Sequence, residues 1–239
     1  MQINKKETIA KIVRQDYRAA QVFSANGLDF CCGGKVPLEE ACEKHDLDLD
    51  VLLNELNAVI NKDQVDESYE SWTSTKLINH IVDVHHRYIE DTVPYLSRLL
   101  NKIAIVHGEG HPELEQIRDI FDEATDALYD HMKKEELILF PAIESIEHAK
   151  ANNKQLPPFP FGSISNPIMA MEGEHDFEGD AFKQIAALSQ NFTPPEDACN
   201  TYHVAFSKLQ EFVSDLHRHI HLENNILFEN AKRLELELV

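Results

Sequence analysis

HMKKEELILF, from His131 to Phe140, and HIHLENNILF, from His219 to Phe228, both spell H-x-x-x-E-x-x-I-L-F. The copies lie 88 residues apart, at 131 and 219, and differ at every x position. In an α-helix, residues i and i+4 share a face. His131 with Glu135, and His219 with Glu223, therefore each offer an imidazole and a carboxylate to one point. The apolar I-L-F turn after each pair places it at a buried part of its helix. One His-x-x-x-Glu is commonly a solvated surface pair. Two copies with the same apolar turn need another explanation.

The rest of the chain supplies it. HRY begins at His86 and HDF at His175, 89 residues later. The spacing predicts a duplicated helical hairpin, each half giving two histidines and one glutamate. Burying four imidazoles and two carboxylates without partners costs several kcal/mol each on the harsher scales. Two metal ions, each with two histidines and bridged by two carboxylates, satisfy all six. Mixed nitrogen and oxygen donors without thiolate suit iron, manganese or zinc. Iron comes first, since helical bundles with facing ligands of this kind hold carboxylate-bridged di-iron or di-manganese centres, while structural zinc takes four ligands, often cysteines.

Several histidines compete. His85 and His86 face about 100° apart on a helix, so one of them points inward. Periodicity leaves the choice open and the repeat favours His86. His217 and His221 form their own i,i+4 pair and are expected to face solvent. His80, His107, His111, His148 and His203 belong to no constellation. Glu174 faces away from the ligand point if His175 faces it, within reach of a supporting contact.

Outward from these motifs the chain reads as all-α: a small helical domain in front of a four-helix bundle. Residues 1–62 hold the stretch ETIAKIVRQDYRAAQVFSANG, stopped at Gly27, the glycine-rich turn DFCCGG, and the helical VPLEEACEKHDLDLDVLLNELNAVI. Residues 63–72 form a polar, acidic linker with almost nothing to bury. Residues 73–239 hold four long helices. The first opens near Trp72–Ser74 and runs to the turn HGEGHP, with Pro94 predicting a kink or local adjustment. The second starts near Pro112, the third at Asn166–Pro167, and the fourth at TPPED, running to about Leu234.

Composition narrows the class. The chain has 239 residues, with 42 acidic against 22 basic residues and a formal net charge of −20. Such a surface repels nucleic-acid phosphates and anionic lipid, and suits cations or a basic protein patch. No apolar run is long enough for a signal peptide or a membrane span, so a cytoplasmic setting is expected. Four cysteines, two of them adjacent, are no secreted disulfide framework. Cys42 and Cys199 read as buried small hydrophobes. From the residues alone, Cys31–Cys32 reads as a turn with one sulfur packed inward, or as an accessible thiol pair.

DFCCGG, HMKKEELILFP, EGEHD and HIHLENNILF together resemble the repair-of-iron-centres (RIC) family of hemerythrin-like di-iron proteins. The resemblance runs from about Asp16 through the final helix. It implies a cytoplasmic protein, induced by nitrosative or oxidative stress, that restores damaged iron–sulfur clusters. It puts two non-haem irons on His86, His131, His175 and His219, bridged by Glu135 and Glu223. It favours His86 over His85 because the family's histidine stands eight residues before a proline, here Pro94. It also gives Cys31 and Cys32 an iron-transfer or redox role. Implied partners are damaged iron–sulfur proteins and the small ligands nitric oxide and O₂; a homodimer stays open. One departure is Phe228–Glu229, where the first copy has Phe140–Pro141. Competing functions are a nitric oxide reductase forming nitrous oxide, an O₂ or nitric oxide binding or sensing module, and a bundle whose histidines never meet metal.

Overall fold

Thr73 begins the bundle: its side chain accepts the backbone N–H of Lys76, satisfying one of the donors a helix start leaves free. Glu147, from the next helix, accepts the N–H groups of Ser74 and Thr75 at 2.6 and 3.0 Å. The computed structural model describes residues 3–60, 69–156 and 158–238. Eight helices and no strand occur among them.

The N-terminal unit contains α1 (Ile9–Gln15), α2 (Ala19–Ala25), α3 (Leu38–Lys44) and α4 (Leu49–Ile60). The stretch expected as one helix is two. Asp16 accepts the backbone N–H of Arg18 and pairs with its guanidinium, and such a local side-chain bond competes with helical continuation. Gly27 ends α2 at φ 69°, in the left-handed region open to glycine. The expected linker falls mostly outside the described residues. Its described end differs from expectation: Tyr69–Ser71 form a single 3₁₀ turn in which Tyr69 is buried against Trp72.

The bundle consists of α5 (residues 74–107), α6 (residues 113–151), α7 (Ser165–Leu188) and α8 (residues 200–236). Helix α5 packs on α6 and α8, and α6 packs on α7, as short connections between antiparallel neighbours require. Helix α8 starts at Asn200 with Cys199 as its cap, so TPPED precedes the helix. At the other end α8 continues through Phe228–Leu236 without the second proline. Pro94 lies inside a continuous α-helical segment. The local adjustment of α5 is upstream, where Ile81–His86 widen into π-helix.

Two more π turns occur, at Glu135–Leu139 in α6 and Glu223–Leu227 in α8. Each opens on a motif glutamate, and π turns concentrate at functional positions. The same level divides the apolar interior. On one side lies a core containing Phe121, Phe182, Phe206 and Phe212, which the N-terminal unit joins through Phe23 and Phe30. Burying each such ring contributes about 1.5–3 kcal/mol. On the other side Leu77, Phe140, Ile143, Ile168 and Phe228 form a second core. Between the cores sits a polar layer.

The two I-L-F turns are not equally buried. Ile226, Leu227 and Phe228 are all buried, whereas Ile138 is 52% exposed beside buried Leu139 and Phe140. Ile226, Leu227 and Phe228 all join the second core, and α1 of the N-terminal unit packs on Glu223–Leu227 of α8.

Candidate metal centre

The polar layer brings together His86, Glu135, His219 and Glu223 as one set, and His131, Glu135, His175 and Glu223 as another, each with its donor atoms within 4.8 Å. All six side chains are 0–1% exposed. His86 Nε2 and His219 Nε2 are 3.2 Å apart, and His131 Nε2 and His175 Nε2 are 3.0 Å apart. Each carboxylate divides itself between the pairs. Glu135 turns Oε2 to His86 at 3.5 Å and Oε1 to His131 at 3.4 Å. Glu223 turns Oε1 to His219 at 2.9 Å and Oε2 to His175 at 3.2 Å. Both oxygens of Glu135, and Oε2 of Glu223, lack a hydrogen-bond donor. Buried acceptors left so are costly. Two cations, one per set, would satisfy them, and the residues fit that occupancy.

Three of the four histidines are held by their outer nitrogen. His86 donates Nδ1–H to Glu136 at 2.7 Å, His131 to Glu174 at 2.9 Å, and His175 to Asn224 at 2.9 Å. That leaves the Nε2 lone pair facing inward, the arrangement that orients metal-binding imidazoles. His219 Nδ1 has no partner; His85 stacks on its ring at 5.8 Å and bonds Asp215 at 3.0 Å.

The electrostatics favour positive charge. Burial opposes a charged ring, yet Glu135, Glu178 and Glu223 outweigh it and lift His131 to about 10. Burial likewise opposes charge on His175, but Glu223 and Glu135 raise it to about 9. Burial raises both bridging carboxyls, and at Glu135 repulsion from Glu223 adds to it; the facing imidazoles more than reverse this, lowering Glu135 and holding Glu223 well below its usual range. Where cations are absent, protons favour the His131–His175 side of the layer, while burial lowers His219 against the pull of Glu223.

Three expectations are corrected. His85 is also buried, because the π turn lets adjacent histidines both face inward. His217 and His221 meet the N-terminal unit instead of solvent: Phe30 lies 6.0 Å from each ring, and His221 is 1% exposed. Cys199 is exposed, since capping α8 places it at the surface, 3.2 Å from His107 Nε2. Glu174 does make its supporting contact.

Cys31 and Cys32 join neither ligand set. Asp29 builds their turn, accepting both backbone N–H groups and the Cys31 thiol. The Cys32 neighbour, burial and Asp29 keep the Cys31 thiol well above its usual pKa. Cys32 is partly exposed, and its sulfur lies 3.7 Å from the carbonyl oxygen of His175. Asn225 donates to the carbonyls of Phe30 and Cys31. One π turn thus supplies Glu223 to the site, Asn224 to His175 and Asn225 to the cysteine turn.

Sequence reasoning missed Glu136, Asn224 and Glu178. Glu178 is 1% exposed, with Oε2 unpartnered. Burial first, then Glu135 and Glu223, push it up to about 7 against the pull of His131 and His175.

Two family models match the chain. Residues 77–231 match the hemerythrin HHE cation binding domain, and residues 5–60 match ScdA_N, described as a domain of unknown function (DUF542). The chain belongs to the hemerythrin-like repair-of-iron-centres family. It is 37% identical over 218 residues to the iron-sulfur cluster repair protein YtfE of Yersinia pestis (strain Pestoides F), covering 91% of this chain and 93% of that relative. The YtfE of Yersinia pseudotuberculosis serotype IB (strain PB1/+) is equally similar, with the same coverage. Among the described residues, no helix is long and apolar enough to cross a membrane.

Proposed function

We propose that this chain is a di-iron protein that restores iron–sulfur clusters damaged by nitrosative or oxidative stress, and that it does so by giving up iron. The observation that carries the reading is the division of Glu135 and Glu223, each with one oxygen toward either histidine pair. Two ions would each take two imidazoles and share both carboxylates, with His86 and His219 on one and His131 and His175 on the other. Bound iron would supply an exchangeable, redox-active pair. The names of the relatives support the assignment.

The chain's own groups suit retention with controlled loss. Glu136, Glu174 and Asn224 orient the imidazoles, and the two apolar cores exclude water. His131 and His175 take protons at neutral pH when no cation competes, so proton uptake works against ion binding. We assign Cys31 and Cys32 an iron-transfer or redox role, with Cys32 the reachable thiol. The setting is the cytoplasm, the partners are damaged iron–sulfur proteins, and residues 1–62, 63–72 and 73–239 act as cysteine unit, linker and bundle.

A second reading draws on the donor count. Four protein donors per ion leave positions for nitric oxide on neighbouring irons, and two nitric oxide molecules with two electrons and two protons give nitrous oxide and water. One experiment separates the two. Protein loaded with isotopically labelled iron is mixed with a nitric-oxide-damaged iron–sulfur protein, and in parallel with nitric oxide and a reductant. Label appearing in the restored cluster supports donation. Multiple turnovers of nitrous oxide with the label retained support the reductase.

A further inference from the structure

Glu178 stands out because the repeat does not call for it. The offset that carries His86 onto His175 carries Ile89 onto Glu178, and Ile89 is buried in the apolar core. A carboxylate has replaced a core aliphatic in one half of the bundle only. It sits three residues after His175, on the same helical face, and one of its oxygens meets no donor. The groups it acts on electrostatically are His131 and His175, with Glu135 and Glu223, the members of one ligand set.

The other side of this helical turn belongs to the cysteines. Cys32 Sγ reaches the His175 carbonyl at 3.7 Å, and a Cβ at the neighbouring Gly179 would lie 3.9 Å from that sulfur. Lys183, one turn further along α7, ties down Asp29 at 3.1 Å, and Asp29 holds the cysteine turn. Helix α7 therefore carries, within two turns, a ligand histidine, a surplus buried carboxylate and the seat of a partly exposed thiol.

We infer that Glu178 is a transfer ligand for iron, set on the stretch of α7 that carries His175 of one set and seats Cys32 against the His175 carbonyl and Gly179. The inference rests on the iron-donation reading and deepens it. Glu178 takes the ferrous ion as the bonds to the His131 and His175 imidazoles and to the shared carboxylates break in turn, any proton on Glu178 passing to a freed imidazole, and then hands the ion to Cys32. As the iron–sulfur bond forms, the thiol proton moves to the Glu178 carboxylate that has released the ion. Iron stays ferrous and no electron is exchanged.

The test is iron release to a chromophoric ferrous chelator, under anaerobic conditions, from the loaded full chain. Iron per chain and the visible spectrum are recorded before mixing. Glu178→Gln should keep the parent's iron and spectrum yet release iron about tenfold or more slowly, because the amide neither draws the ion off with a charge nor takes up the thiol proton, and losing a positioned proton acceptor costs at least about this factor. Glu178→Asp, which keeps the charge, should fall between. Release from Glu178→Gln at the parent's rate would overturn the inference, as would loss of its iron before mixing, which would make Glu178 a resident ligand. The Cys31→Ser, Cys32→Ser double variant separates the levels. If it slows release and Glu178→Gln does not, the donation reading stands without Glu178. If neither slows release, the cysteine route falls too.

Discussion

Glu136 and Glu174 make the same contact with different histidines, and the two ligand sets predict different consequences for losing them. Glu136 holds His86 Nδ1 at 2.7 Å and Glu174 holds His131 Nδ1 at 2.9 Å. His86 belongs to one set and His131 to the other. Removing such an anchor lets the imidazole turn and lose basicity, and typically weakens metal binding by about 10- to 100-fold, or about 1.4–2.7 kcal/mol. Glu136→Ala and Glu174→Ala should therefore each weaken one of two bound ions by this factor and leave the other near the parent's affinity. The effect on folding should be small, since both carboxylates are partly exposed and the Glu174–Lys134 pair is a surface contact of at most about 1 kcal/mol. Anaerobic competition titrations against a calibrated chelator resolve the two steps, and the double variant should weaken both. Unchanged affinities would refute the orienting role. Two ions weakened equally by either single variant would refute the assignment of His86 and His131 to different ions.

Asn225→Ala removes the donor that satisfies the Phe30 and Cys31 carbonyls. It should cost about 1–3 kcal/mol by thermal unfolding and raise the rate at which a disulfide reagent modifies Cys32, with iron content unchanged. Glu147→Gln weakens the cap on α5. Burial raises the Glu147 pKa, but the bonds from Thr75 and Ser74 more than offset this and lower it. Its contribution is thus fully present above the unfolded carboxyl pKa and lost as pH falls through the lower folded value. The variant should be less stable by about 0.5–2 kcal/mol at neutral pH and should converge on the parent in acid, as followed by melting temperature against pH. The bond from His107 and the N–H groups at the start of α8 bring Cys199 down to about 7. Iodoacetamide at neutral pH should therefore alkylate Cys199 before the buried Cys31 and Cys42, by mass mapping, and His107→Ala should slow that reaction.

Much of this site was readable from spacing. The i,i+4 motifs and their repeat named six side chains that the polar layer brings together, because helical periodicity converts sequence separation directly into a shared face. The repeat also held a signal that went unread: its offset places Glu136 on Asn224, and both accept from a histidine of the preceding helix. Glu178 left no such trace, since a glutamate in an acidic chain looks like a solvated residue until its burial is known. The histidine pair His217 and His221 misled for the opposite reason. Their face is outward for the bundle alone and is covered only because the N-terminal unit docks there, a long-range fact that local periodicity does not carry. The break at Asp16–Arg18 was lost to local chemistry, where one side-chain hydrogen bond outweighs a continuous apolar pattern, and the exposure of Cys199 to its place at the very start of α8.

The most direct measurement is iron per chain, with the visible spectrum, on protein loaded anaerobically with ferrous iron. The parent is compared with His86→Ala, His175→Ala and the double variant, one histidine coming from each ligand set. The account predicts about two irons in the parent, as expected of a bridged bundle site, with oxo-bridge bands on oxidation. Each single variant should lose one ion preferentially, and the double variant should lose both. Iron no higher than background, or equal iron in all four proteins, would contradict it.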